Sequence, residues 1–244
     1  MSSQWQNRKV AFLGDSITDQ CHVGTEKNYW QFLAEDVGLA PLVYGINGQT
    51  WADIPAQAAK CASEHGADVD AVMIFMGTND YNSSIPFGDW FVRRLEETCD
   101  HGRTVRKLRR LPNLDPATFR GRVNAGLACV KDLFPEQQIV LCTPIHRGFA
   151  EFGGDNVQPE ESFPNDCGLF IDDYVHELKR AGEIWSVPVI DLFTLCGLLP
   201  MRDGYARYFH DGATDRLHPN AEGHRRIAET LRYQLAALPA TFRR

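Results

Sequence analysis

The chain has no CxxC pair, no Gly-rich phosphate loop of the GxGxxG or Walker type, no GxSxG elbow and no apolar run approaching a membrane span. Each absence removes a class of function. Without CxxC spacing, the seven cysteines (21, 61, 99, 129, 142, 167 and 196) form no zinc-binding pattern. An odd, dispersed set with Cys129 and Cys142 in apolar surroundings reads as reduced thiols, not as a disulfide framework. Without a phosphate loop, a flavodoxin-like nucleotide binder ranks last among the candidate functions. Met1 to Lys9 is polar and lacks the apolar core of a secretory signal, so a cytoplasmic location is expected; the sequence leaves a processed secreted form open. Positive charge is not in excess. A net charge of −7 argues against a nucleic-acid partner, and no membrane partner is expected either. No repeat, low-complexity tract or linker interrupts the 244 residues, which predicts one domain over 1–244.

What is present is an alternation of strands and helices. Apolar runs at Val10–Leu13, Pro41–Gly45, Ala71–Met76, Gln138–Cys142 and Val187–Asp191 read as five strands. Helical patterns lie between them at 27–37, 51–65, 115–133 and 169–185, and a last helix runs from about Asn220 to Leu238. Alternation of this kind gives a parallel sheet covered on both faces, a three-layer α/β/α fold. The simplest doubly wound, flavodoxin-like order for five strands is 2-1-3-4-5. Three long segments follow strands: an insert at about 81–115, expected to hold a helical piece and then a basic run, and loops at 146–168 and 197–214. All three therefore belong to the carboxyl edge of the sheet, and loops of that length are usually functional.

The first strand leads into Gly14-Asp15-Ser16-Ile17-Thr18. Gly14 permits a tight exit, and Ser16 is expected where a helix begins at the carboxyl edge, the place where open α/β sheets bind ligands. Order 2-1-3 sets the ends of strands two, one and three side by side, so Gly48, Ser16 and Asn79 become neighbours. A hydroxyl flanked by hydrogen-bond donors suits acyl transfer: the N–H groups of Ser16 and Gly48 and the amide of Asn79 are candidate oxyanion donors. Asp215-x-x-His218 supplies a base with its own carboxylate, at a spacing that a turn can close. Because position 18 is Thr, the usual α/β-hydrolase elbow is ruled out.

At these residues the chain resembles the SGNH (GDSL-type) hydrolase family. Gly14-Asp15-Ser16-Ile17 matches the block carrying the nucleophile, with Ile where the family has Leu. Asn47-Gly48-Gln49-Thr50 resembles the second block, Gly77-Thr78-Asn79-Asp80 the third, and Asp215-Arg216-Leu217-His218-Pro219 the last. The resemblance implies an SGNH hydrolase fold and a serine esterase with Ser16, His218 and Asp215 as catalytic residues. It implies an oxyanion hole from Ser16, Gly48 and Asn79, with no metal and no cofactor. A small-molecule or carbohydrate ester is the expected substrate, with an acetylated sugar favoured by the aromatic-rich polar loops. The alternatives are a lysophospholipase or thioesterase for longer acyl chains, and a binding module that kept the fold and lost catalysis. The oligomeric state is not indicated.

Other residues carry weaker signals. Asp15 and Asp80 read as organisers of their turns. His146 and His210 lie on edge loops where they could line a pocket, while His22, His65, His101, His176 and His224 read as solvated or packed. The basic run Arg103, Arg106, Lys107, Arg109 and Arg110 reads as a solvated face, with an acidic ligand as its alternative. Phe87, Trp90, Phe149, Phe152, Phe163, Tyr205 and Tyr208 either wall the pocket or pin the loops down.

Overall fold

A computed structural model describes residues 3–242; positions 1, 2, 243 and 244, the ends of the expected 1–244 span, lie outside the described residues. The central sheet is parallel and five-stranded: β1 (Lys9–Gly14), β2 (Ala40–Val43), β3 (Ala71–Phe75), β6 (Gln138–Cys142) and β9 (Val189–Ile190). Its order is β2-β1-β3-β6-β9, which is 2-1-3-4-5 when these strands alone are counted. The register pairs Gly14 with Phe75 and Phe75 with Cys142, so the three central strands end level.

Strand alternation divides the core into two layers. Val10, Phe12, Met73, Phe75 and Val140 face one way and pack on α1 (Tyr29–Val37) and α7 (Ala221–Leu235). Ala11, Leu13, Val72, Ile74 and Leu141 face the other way and pack on α2 (Ile54–His65), α4 (Phe119–Leu133) and α5 (Ile171–Trp185). Residues of β1 and β3 are buried on both faces, which is why they read as unbroken apolar runs. Side chains cap the starts of α4 and α7: Thr118 accepts from Gly121 N–H, and Asn220 accepts from Glu222 and Gly223 N–H.

Three expectations are corrected. First, no helix begins at Ser16. Residues 15–19 make a single turn, with Thr18 and Asp19 N–H both bonded to Asp15 C=O at 3.0 Å, and the next helix waits until Tyr29. Gly14 is required there: a Cβ would stand 2.5 Å from Thr18 Oγ1 and 2.6 Å from Phe75 O.

Second, the 81–115 insert is not helical after its first residues. The short α3 (Thr78–Asn82) is followed by a two-stranded antiparallel arm, β4 (Phe91–Asp100) and β5 (Arg103–Pro112), paired in register along its whole length. The arm turns at His101-Gly102, both at positive φ (49° and 76°), the conformation of a two-residue hairpin loop.

Third, the two edge loops are not merely loops. β7 (Ala150–Glu151), β8 (Val157–Gln158), β10 (Phe209–Asp211) and β11 (Asp215–Pro219) form a small antiparallel sheet of order β10-β11-β7-β8. The Asp215–His218 segment, expected as a turn, is thus a strand. It joins Asp215 to Ala150 in register. The remaining short helix is α6 (Leu192–Leu195). Among the described residues no helix is long and apolar enough to cross a membrane.

Candidate active site

The level ends of β2, β1 and β3 bring the three expected loops together. Ser16, Asn47, Gly48, Asn79 and His218 all line one cleft of about 480 Å³, with Val23, Leu217 and several residues of the 150s loop completing it.

Buried polar side chains hold the loop after β2 from several sides. Gln57 of α2 bonds both Gly14 N–H (2.9 Å) and Gly14 C=O (2.8 Å), and its amide also reaches Gln49. Asp19 accepts from Asn47 N–H at 2.6 Å. Asp80 accepts from Trp51 N–H at 3.0 Å, and Asn79 Nδ2 donates to Gln49 C=O at 2.9 Å. Asp80 therefore organises a loop remote in sequence, where a turn-local role was expected, while Asp15 keeps its local bond from Ile17 N–H. Gly48 lies at φ +80°, with open space where a Cβ would be. Its N–H and that of Ser16 have no protein acceptor among the described residues, so both are free to donate into the cleft.

Ser16 Oγ lies 3.1 Å from His218 Nε2, and His218 Nδ1 lies 2.9 Å from Asp215 Oδ2. An ionised carboxylate only accepts, so Nδ1 carries the proton, and Nε2 is left to accept from the Ser16 hydroxyl. Residues three apart on a flat strand point to opposite faces. Here Asp215 Oδ1 accepts from both Leu217 and His218 N–H at 3.0 Å, which curls the chain and brings the imidazole back over its own carboxylate. Burial alone would raise the Asp215 carboxyl; the hydrogen bond from His218, its charge and the two backbone N–H groups outweigh that and leave it below its ordinary value.

Asp15 and Asp80 are buried beneath this surface. Burial pushes the Asp15 carboxyl up to about 7, against the opposing pull of Ile17 N–H and His218. Burial likewise lifts Asp80 to about 6, although Trp51 N–H and Arg122 stabilise its charge.

Of the aromatic residues considered for a wall, only Phe152 lines the cleft, its ring 5.4 Å from that of His218. Phe87 and Trp90 pack against the second core layer, and Tyr205 and Tyr208 lie under Arg226. Neither histidine of the edge loops lines the cleft. His146 is bound to Glu161 and packs with its ring tilted against Phe193, and His210 bonds Gly24 C=O. Sequence reasoning missed Asn82, Ser83, Asn156 and Gln158, which supply much of the polar lining. It also missed Gly24, at φ +71°, where a Cβ would stand 2.7 Å from His218 Cβ. Nothing in the local sequence marks these positions, because the folding of distant loops onto one another creates their role.

Comparison with known proteins gives three results. The family model described as the GDSL-like lipase/acylhydrolase family matches residues 12–226. No curated protein matches the sequence. Among solved structures, a protein from Lactobacillus plantarum aligns with a TM-score of 0.71 at 26% identity, over 96% of this chain and 98% of its own. A catalytic mutant of an acetyl xylan esterase from Geobacillus stearothermophilus aligns with a TM-score of 0.57 at 18% identity, over 100% and 99%. A second variant of that enzyme aligns with a TM-score of 0.54 at 20% identity, over 94% and 95%. At these last identities the likeness is one of fold.

Proposed function

Since the chain belongs to the GDSL-like lipase/acylhydrolase family, we propose that it is a serine esterase acting through Ser16, His218 and Asp215. The observation that carries this reading is the continuous path from Ser16 Oγ through His218 to Asp215, at 3.1 and 2.9 Å. Ser16 Oγ attacks the ester carbonyl as His218 Nε2 takes its proton. Asp215 keeps the tautomer and stabilises the imidazolium. The N–H groups of Ser16 and Gly48 and the second N–H of the Asn79 amide receive the oxyanion. His218 then protonates the leaving alcohol, and an acyl-enzyme forms. In the second half His218 activates a water, which releases the acid and restores the serine.

Within this reading the substrate is a short acyl ester, such as an acetyl group on a carbohydrate. Support comes from the polar lining of amides and hydroxyls at Asn47, Asn79, Asn82, Ser83, Asn156 and Gln158, set against few apolar groups. Such a lining suits a hydroxyl-rich leaving group better than a long alkyl chain. The fold likeness to an acetyl xylan esterase points the same way. A cytoplasmic location is part of the proposal and rests on the dispersed thiols.

A fluorophosphonate probe should label the wild-type protein and leave Ser16→Ala unlabelled; labelling that survives the substitution would remove Ser16 from the role. Among p-nitrophenyl esters, acetate should be hydrolysed best, and acetylated sugars should be substrates. Rising activity with acyl length would reassign the enzyme to lysophospholipid or thioester chemistry.

A further inference from the structure

The arm β4–β5 is an unusual element for a free chain. A two-stranded ribbon with no third strand is marginal in water, and it leaves both edges open. The side-chain hydrogen bonds and ion pairs of residues 91–112 stay within the arm among the described residues.

Its two faces differ. On one face Glu96 bridges Arg94 and Arg109, and Asp100 holds Lys107, so charge is balanced internally. The other face carries the directly opposed pairs Arg93–Arg110, Leu95–Leu108 and Glu97–Arg106. Leu95 and Leu108 are 58% and 60% exposed. Arg93, Arg106 and Arg110 make no ion pair among the described residues, although Arg93 and Arg110 face each other as like charges, an arrangement that costs stability. The leucine pair lies among three arginines with Glu97 as the one acid of those pairs, a net-basic, apolar surface that an acidic, apolar counterpart would complement.

That counterpart is present on the same chain. Residues 148–178 hold eight Asp and Glu and no Lys or Arg. Asp155, Asp166 and Asp172 are exposed there beside exposed Phe152, Val157 and Phe163. A cleft of about 240 Å³ opens in this segment, between Val157–Pro159 on one side and Pro164–Asp166 on the other.

We propose that the Leu95–Leu108 face of the arm docks on the acidic 151–172 segment of a second copy of this chain, reciprocally, in a two-fold dimer. Two-fold symmetry uses both surfaces twice and leaves neither exposed, whereas a one-way contact would leave one arm and one acidic segment open. The charges are opposite in sign, and the exposed leucines meet exposed aromatics. Because Phe152, Asn156 and Gln158 also line the esterase cleft, the seated arm comes to rest beside its mouth.

Analytical ultracentrifugation of the full chain tests this. The wild type should sediment as a dimer in about 50 mM salt and dissociate more readily near 1 M, where the screening length falls to about 3 Å. Leu95→Ser with Leu108→Ser should weaken dimerisation at least about tenfold, while thermal melting shows the fold intact. An arm-reversed protein (Arg93→Glu, Arg106→Glu) and a segment-reversed protein (Asp155→Lys, Asp166→Lys) should each be monomeric alone. Mixed, they should form a heterodimer, since each arm then meets a segment of opposite sign. A monomeric wild type overturns the proposal, and a monomer retained on heparin reassigns the arm to an acidic polymer. A dimer indifferent to every one of these substitutions overturns it equally.

Discussion

Ser16, Gly48 and Asn79 come from three separate loops, and at the cleft each offers one small group: a hydroxyl with its N–H, a bare N–H, and half of an amide. The Asn79 side chain is divided between two tasks, since one N–H is used on Gln49 C=O. Asn79→Ala should therefore lower kcat by about 10²–10³-fold, the usual effect of one lost oxyanion donor, with KM changing little. Steady-state kinetics on p-nitrophenyl acetate read this directly, and a near-normal kcat would remove Asn79 from the hole. That Ser16, Gly48, Asn79, Asp215 and His218 meet at one cleft was legible in the sequence, because acyl-transfer chemistry needs those residue types together. Asn82, Ser83, Asn156 and Gln158 were not, since an amide on a loop reveals nothing of what the loop folds against. Gly24 escaped notice for a related reason: its closeness to His218 is a contact between segments nearly two hundred residues apart.

Among the elements, the central strands were the easiest to read. Strands buried on both faces must be apolar at every position, so Val10–Leu13 and Ala71–Met76 stood out. The arm β4–β5 concealed itself by the opposite logic. Both its faces meet water, so no apolar/polar alternation marked its period of two, and a mixture of Arg, Glu and Leu looked helical. The one local sign was His101-Gly102, a dipeptide able to adopt positive φ twice. The small β10-β11-β7-β8 sheet was equally hidden, because strands of two to five residues are too short to show a period. Helix α2 contributes a residue whose importance also went unseen. Gln57 binds the backbone N–H and C=O of Gly14 from within the core. Gln57→Leu leaves the Gly14 N–H unpaired, while Gly14 C=O keeps its bond from Ile46 N–H at 3.2 Å, and should destabilise the protein by about 1–3 kcal/mol. Denaturant melts would measure the loss, and a stability equal to wild type would show that water substitutes for the amide.

Across the whole molecule, buried ionisable groups make stability depend on pH in opposing directions. His224 is buried at the start of α7. It accepts from Tyr29 N–H, and burial holds its imidazole down at about 3 against an ordinary 6.5. Between those values the unfolded chain binds a proton that the folded chain refuses, so this group makes stability fall as pH falls. Asp15, raised to about 7 from 3.8, acts in reverse: the folded chain holds the extra proton, and stability falls as pH rises through that window. Each contributes a slope of up to about 1.4 kcal/mol per pH unit. Relative to wild type, His224→Phe should gain stability as pH is lowered from 6 to 4, and Asp15→Asn should gain it as pH is raised from 4 to 7. Chemical denaturation at stepped pH measures both, and parallel curves for wild type and either variant would contradict the assignment.

The pairing of Ala150 with Asp215 ties two jobs to one beam. The stretch that shapes the cleft beside His218 is also the neighbouring strand of the aspartate that steadies it. Lengthening or shortening residues 150–158 would tug on the Asp215 carboxylate and, in the proposed mechanism, detune proton transfer. A change of cleft shape is therefore easier to graft at the Asn82–Ser83 side, where, among the described residues, no backbone hydrogen bond ties the wall to Asp215 or His218.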